Sequence, residues 1–198
     1  GLTAQSHVVV YDDEGGGWAG RFIWILDEIG HKNYSYLNGG LHAWAGEERG
    51  LEGGTRPVKT SDITVSQSGQ HSVTLEVVMD KLNSTELQIW DARSPMEHRG
   101  ETVYAARGGH IPGAKNYEWT QAMDQQNSLR FKPLAQIETE LQSVGISKDK
   151  ATITHCQTHH RSGLTYLLGK ILGFSDIKAY PGSWGEWGNS QETPIEQV

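Results

Sequence analysis

Two hydrophobic rhythms alternate along the chain. "HVVV", ending at Val10, is a short β-branched run. After a polar, glycine-rich stretch, apolar residues recur at helical spacing from Trp18 to Ile29, where Gly30 stops them. "YSYLNGG" then reads as a second short strand and turn, and Trp44 closes a brief helical segment. The same succession returns late in the chain. "ATITH" runs into a polar loop, a helical pattern leads to Gly173, "IKAYPGS" gives another strand and turn, and Trp187 closes it. In between, "TLEVVMDKL" predicts a helix and "LQIWDARS" a buried strand with a polar exit. "GHIPGAKNYEW" predicts a turn and short strand, and "KPLAQIETELQSVGI" a helix with a glycine stop.

The succession repeats in register. Gly20, Gly30, Gly39 and Trp44 each lie 143 residues before Gly163, Gly173, Gly182 and Trp187, with no gap. Strand, helix, strand at this spacing is a βαβ crossover and predicts parallel strands. The expected fold class is α/β, with two tandem domains of one kind, each a parallel sheet with helices on both faces. The first copy has only a handful of residues before its strand, and a half-sheet lacking its opening strands exposes apolar edges. The first domain is therefore expected to be incomplete in this chain, its missing part absent or supplied by another chain segment. Residues 1–52 are assigned to the C-terminal part of domain 1, 53–72 to a polar Gly/Ser/Thr-rich linker, and 73–198 to domain 2.

Composition narrows the function classes. The 198 residues suffice for a sizeable core, and 36% hydrophobic with 21% charged residues is an ordinary globular balance. A net charge of −7 argues against non-specific nucleic-acid binding. No apolar run approaches the roughly 18 residues of a membrane span, so no membrane partner is expected. One cysteine excludes an internal disulfide and a Cys-only metal cluster, which favours a reducing compartment and a cytoplasmic location.

That cysteine, Cys156, sits in "HCQTHHRSG", where a strand gives way to a helix predicted to begin near Ser162. Open α/β sheets build their sites at such carboxyl ends. A short loop closing onto a helix N-terminus can turn several backbone N–H groups inward on one point, and those donors favour an anionic sulfur. His159, His160 and Arg161 can also donate to an anion, so the loop is expected to be locally cationic although the protein is acidic. A lone cysteine is commonly an inert buried residue, but this flank is too polar for a core position. Metal binding by His155, Cys156, His159 and His160 is disfavoured, because adjacent residues in one tight loop seldom converge on one ion; no metal site is expected. Asp91 and Arg93 are read as a local salt bridge bracing the loop, and Trp184 and Trp187 as core. Trp119 is a candidate wall of the pocket.

Cysteine phosphatases place five residues between cysteine and arginine; here there are four between Cys156 and Arg161. The shorter ring suits a smaller group, such as a sulfur atom bonded to the cysteine. At this point the chain resembles the rhodanese family of sulfurtransferases. "WDARSPMEHRG", "GGHIPGAKNYEW", "HCQTHHRSG" and "YPGSWGEW" match its motifs in order, and "YLNGGLHAW" matches the end of an inactive first domain. The resemblance implies tandem rhodanese domains with catalysis in the second; Asp13, 143 residues before Cys156, stands where a thiol would be. It implies sulfur transfer from thiosulfate, through a Cys156 persulfide and with no other cofactor, to cyanide or a thiol acceptor. Gln157, Thr158, His159, His160, Arg161 and Trp119 are the expected substrate-binding residues. The alternatives are a persulfide carrier serving a protein partner and a cysteine phosphatase or arsenate reductase.

Overall fold

The computed structural model describes residues 1–65, 68–82 and 84–197. In chain order the elements are β1 (Val8–Val10), α1 (Gly17–Glu28), β2 (Tyr34–Tyr36), α2 (Gly40–Gly46), α3 (Leu75–Lys81), β3 (Leu87–Asp91), α4 (Pro95–Arg99) and β4 (Lys115–Asn116). A 3-10 turn, Trp119–Ala122, precedes β5 (Met123–Asp124) and β6 (Arg130–Phe131). Then come α5 (Leu134–Ser143), β7 (Ala151–His155), α6 (Arg161–Leu172), β8 (Ile177–Ala179) and α7 (Ser183–Trp187). Helix α6 starts one residue earlier than its apolar pattern suggests, because Arg161 already adopts the helical turn.

The larger half is a four-stranded parallel sheet in the order β4–β3–β7–β8. Period-two alternation in β3 divides its core. Ile89 packs with Val78, Ile153, Trp184 and Trp187 on one face, while Trp90 packs with Tyr117, Ile137, Leu141 and Leu168 on the other. Helices therefore cover both faces, as a parallel sheet requires. Trp184 and Trp187 are fully buried, and each indole N–H is satisfied by a carbonyl, of Arg107 and Pro194 respectively.

The smaller half pairs β1 with β2, again parallel, and flanks them with α1 and α2. Its elements fall on those of the larger half at the same spacing of 143: Tyr34–Tyr36 on Ile177–Ala179, and the start of α2 at Gly40 on the start of α7 at Ser183. Val9, Tyr11, Trp18, Phe22 and Ile25 remain exposed on this half. From Glu47 to Gln70 the described residues form neither helix nor strand. Ser72 then pairs with Ala179 at the edge of the larger sheet.

The two halves meet along α1 and α6. At the crossing a Cβ on Gly20 would lie 2.3 Å from the carbonyl oxygen of Gly163, and one on Gly163 2.5 Å from the amide nitrogen of Arg21. Only paired glycines permit that backbone approach. Two turns further along α1, Asp27 accepts from Tyr34 and Tyr166, each at 2.8 Å, and from Lys170. Gly20 with Gly163, and Asp27 with Lys170, each pair 143 residues apart, are in contact with each other.

Candidate active site

Cys156 follows the last residue of β7 and is buried. Its amide reaches the Ser183 hydroxyl at 3.3 Å, and that hydroxyl donates to Tyr180 O at 2.9 Å. The loop beyond it is anchored by its carbonyls. Cys156 O accepts from Trp184 N at 2.9 Å, Gln157 O from Gly185 N at 2.8 Å, and His160 O from Gly163 N at 2.9 Å. The amides behave oppositely. Among the described residues, the N–H groups of Gln157, Thr158, His159, His160, Arg161 and Ser162 meet no acceptor. His159 lies in the left-handed region at φ 60°, and His160 returns to the right-handed one. Such an alternation forms a concave nest of N–H groups, here placed at the N-terminus of α6.

The first half has a comparable set of amides gathered on a carboxylate. There the carboxylate of Asp12 accepts from the amides of Glu14 (3.2 Å), Gly16 (2.8 Å) and Ala19 (2.9 Å). These three positions correspond, at the spacing of 143, to Gln157, His159 and Ser162. One copy of the ring is filled by an internal anion, and the other presents the same amides beside a thiol.

The side chains of the loop point in different directions. Arg161 makes a two-pronged ion pair with Glu97, at 2.6 and 2.8 Å. Glu97 is placed by its own sequence: Ser94 and Glu97 form a capping box at the start of α4, with Pro95 at the first helical position. Burial pushes the Glu97 carboxyl up, but the hydrogen bonds and charge of Arg161 outweigh it and hold the carboxyl below its ordinary range. His159 is fully buried, bonded through Nδ1 to the Ser162 hydroxyl at 2.8 Å and edge-on to Trp24 with ring centroids 4.7 Å apart. Burial, with Arg21 and His160 nearby, lowers its pKa to about 3. His160 lies between Trp18 and Trp119, with centroids at 4.3 and 5.7 Å, and pairs with Glu14 of the first half. Gln157 donates to Tyr104 O at 3.0 Å, and Thr158 is exposed.

The expected cationic patch is therefore corrected. Arg161 and His160 are each matched by a carboxylate and His159 is neutral, so among the loop's own groups the attraction for an anion resides in the backbone amides. Trp119 does reach the loop, through its contact with His160.

Beneath the loop lies a buried polar layer. Asp91 is fully buried and bridged to Arg93 through Nε (3.0 Å) and Nη2 (2.6 Å), and it also bonds His98 Nδ1 at 2.9 Å. Burial favours the neutral Asp91, yet His155, Arg93 and His98 together hold it well below the usual carboxylate range. The Arg93 guanidinium in turn stacks on Trp184, 4.4 Å from the ring centroid. This layer ties the ends of β3 and β7 to α7, whose amides anchor the loop.

The model of the rhodanese-like domain matches residues 2–47 and 74–190. The chain belongs to the rhodanese family. Among its relatives, thiosulfate sulfurtransferases of Azotobacter vinelandii and Pseudomonas aeruginosa are 54% and 49% identical, each over 99% of this chain and 72% of the relative. A sulfur carrier protein of Thermus thermophilus is 31% identical, over 98% of this chain and 72% of its own length. The anaerobic ergothioneine biosynthesis enzyme of Chlorobium limicola shares the rhodanese fold. It has a TM-score of 0.89 at 24% identity, over 100% of this chain and 52% of that one. The chain thus spans about half the length of the solved structures it matches.

Four residues of this rhodanese site escape a reading of the sequence alone. Glu97, Ser183, Glu14 and Arg21 touch the loop from distant segments. Only Glu97 carries a local signal, the capping box with Ser94, and that signal speaks of a helix start and not of Arg161.

Proposed function

We propose that the chain is a thiosulfate sulfurtransferase that carries sulfane sulfur as a persulfide on Cys156. The observation that carries this reading is the ring of unpaired amides beside the thiol, whose equivalent in the first half already holds a carboxylate. The Cys156 thiolate attacks the outer sulfur of thiosulfate. The sulfur–sulfur bond of thiosulfate breaks, its electron pair leaves with sulfite, and a Cys156 persulfide remains among the N–H donors. Cyanide or a thiol then attacks the outer sulfur of the persulfide and regenerates the thiolate. Both half-reactions use one cysteine, and no further cofactor is invoked.

The roles assigned to side chains follow their placement. Arg161, steadied by Glu97, and His160, held between Trp18 and Trp119, border the entrance. Gln157, Thr158 and His159 contribute chiefly backbone N–H groups. The sulfur carrier among the relatives supports a protein as one kind of acceptor, and the relatives' names favour sulfur over phosphate as the group transferred. We further infer that the two halves are tandem rhodanese domains, residues 1–52 being part of a silent first one. The matched element spacing, the Gly20–Gly163 contact and the exposed apolar face of β1 and α1 support this. Among the described residues no helix is long and apolar enough to cross a membrane.

Incubation with thiosulfate should add the mass of one sulfur atom to the intact protein, and cyanide should remove it as thiocyanate. Cys156→Ala should take up none. If that variant made thiocyanate at the wild-type rate, the reading would fail; turnover of a phosphate ester without persulfide would favour a phosphatase.

A further inference from the structure

The orientation of the amide ring depends on what grips the loop's carbonyls from outside. In a trans peptide the C=O and the following N–H point in opposite directions, and the described residues contain no cis bond. Anchoring Cys156 O and Gln157 O on the amides of α7 therefore turns the N–H groups of Gln157 and Thr158 away from α7. The third anchor comes from the other half of the molecule. Arg21 on α1 donates through Nη1 to Thr158 O at 2.6 Å, which fixes the N–H of His159.

His159 is the position where that help matters. It is a non-glycine residue at φ 60°, a conformation that persists only where its surroundings enforce it. Its N–H is the counterpart of Gly16 N–H, which makes the shortest of the three bonds to Asp12. In the first half glycine adopts the turn freely; in the second a histidine must be held there. Among the described residues Arg21 forms no salt bridge, and its side-chain hydrogen bond is to this carbonyl.

Building on the sulfurtransferase reading, we propose that Arg21 is a positioning residue for the catalytic loop. The half without a thiol holds the His159 N–H in its anion-facing orientation, so the two halves form one catalytic unit. Arg21 touches neither the cysteine nor substrate; it acts through the Thr158–His159 peptide.

The full chain is loaded with thiosulfate in a single turnover, with sulfur uptake followed by intact mass, for wild type, Arg21→Met and Arg21→Lys. Unfolding midpoints are measured alongside. Deleting an oxyanion donor outright costs about a hundredfold or more, so releasing one peptide should slow loading by about tenfold. Arg21→Met is expected to load that much more slowly, with the sulfur still released as thiocyanate when cyanide is added. Arg21→Lys, which can still donate to Thr158 O, is expected to recover most of the rate. If Arg21→Met loads at the wild-type rate, or if Arg21→Lys is as slow as Arg21→Met, the positioning role is overturned. Should the methionine variant fail to fold, Arg21→Gln carries the same expectation. A wild-type protein that takes up no sulfur would instead overturn the sulfurtransferase reading on which the proposal stands.

Discussion

Arg161 carries a positive charge beside the thiol, yet Arg161→Ala should act mainly through the carboxylate it leaves behind. The Glu97 side chain is 5% exposed and that of Arg161 20%. Removing one partner of a buried pair costs about 3–5 kcal/mol, because the other charge stays desolvated. Partial exposure of Arg161 reduces this to about 2–3 kcal/mol. Glu97→Gln keeps the capping box, since glutamine serves at that position, and so isolates the loss of charge. The double variant removes both charges and should be more stable than Arg161→Ala alone. Urea unfolding of the four proteins at neutral pH closes the cycle, with an expected coupling of about 2 kcal/mol. Thiosulfate kinetics should follow the same order. Arg161→Ala leaves an unmatched anion at the entrance and raises KM for thiosulfate most, and adding Glu97→Gln should restore part of the loss. Stability effects that add within about 0.5 kcal/mol would refute the pair as an energetic unit. A double variant whose KM is as high as that of Arg161→Ala would refute the repulsion argument.

Acid should weaken the fold through its buried histidines. Burial lowers His159 from 6.5 to about 3 and His155 to about 4. Below pH 6.5 the unfolded chain binds protons that the folded one refuses, so this stability is full above 6.5 and is lost as pH falls. At pH 5 each histidine should cost about 2 kcal/mol. His159→Gln should therefore lose about 2 kcal/mol less than wild type between pH 7 and pH 5 in urea titrations; equal losses would count against a neutral buried His159. Gly20→Ala, a change that usually stabilises a helix by about 1 kcal/mol, should here lower the melting temperature. Its Cβ would meet the Gly163 backbone, and a raised melting temperature would show that α1 and α6 are not locked together.

Much of the larger half is legible in the sequence because its elements carry strong local rhythms. The alternation in "LQIWD" divides two cores, and the glycine after each helix marks its end at Gly145 and Gly173. The loop was legible as a cradle from its length and from its place before a helix. Its electrostatics were not. Arg161, His159 and His160 look cationic in a row of letters, but charge at a site is set by what folds against it. Glu97 lies 64 residues from Arg161 and Glu14 lies 146 from His160. The acidity of "DDEGGG" was visible, whereas the inward turn of Asp12 onto its own amides needs the backbone of that loop.

That inward turn bears on how such a molecule can evolve. A duplicated catalytic domain is often pictured as one substitution away from regaining activity. Here Asp13→Cys alone would place a thiol beside a ring already occupied by Asp12, so no substrate anion could enter. Replacing Asp12 alone would strip three N–H groups of their acceptor and weaken α1, against which the working half is packed. The first step on either route carries a cost without a benefit. On the proposed tandem-domain reading, the tethered carboxylate acts as a ratchet that leaves the smaller half to serve as a support.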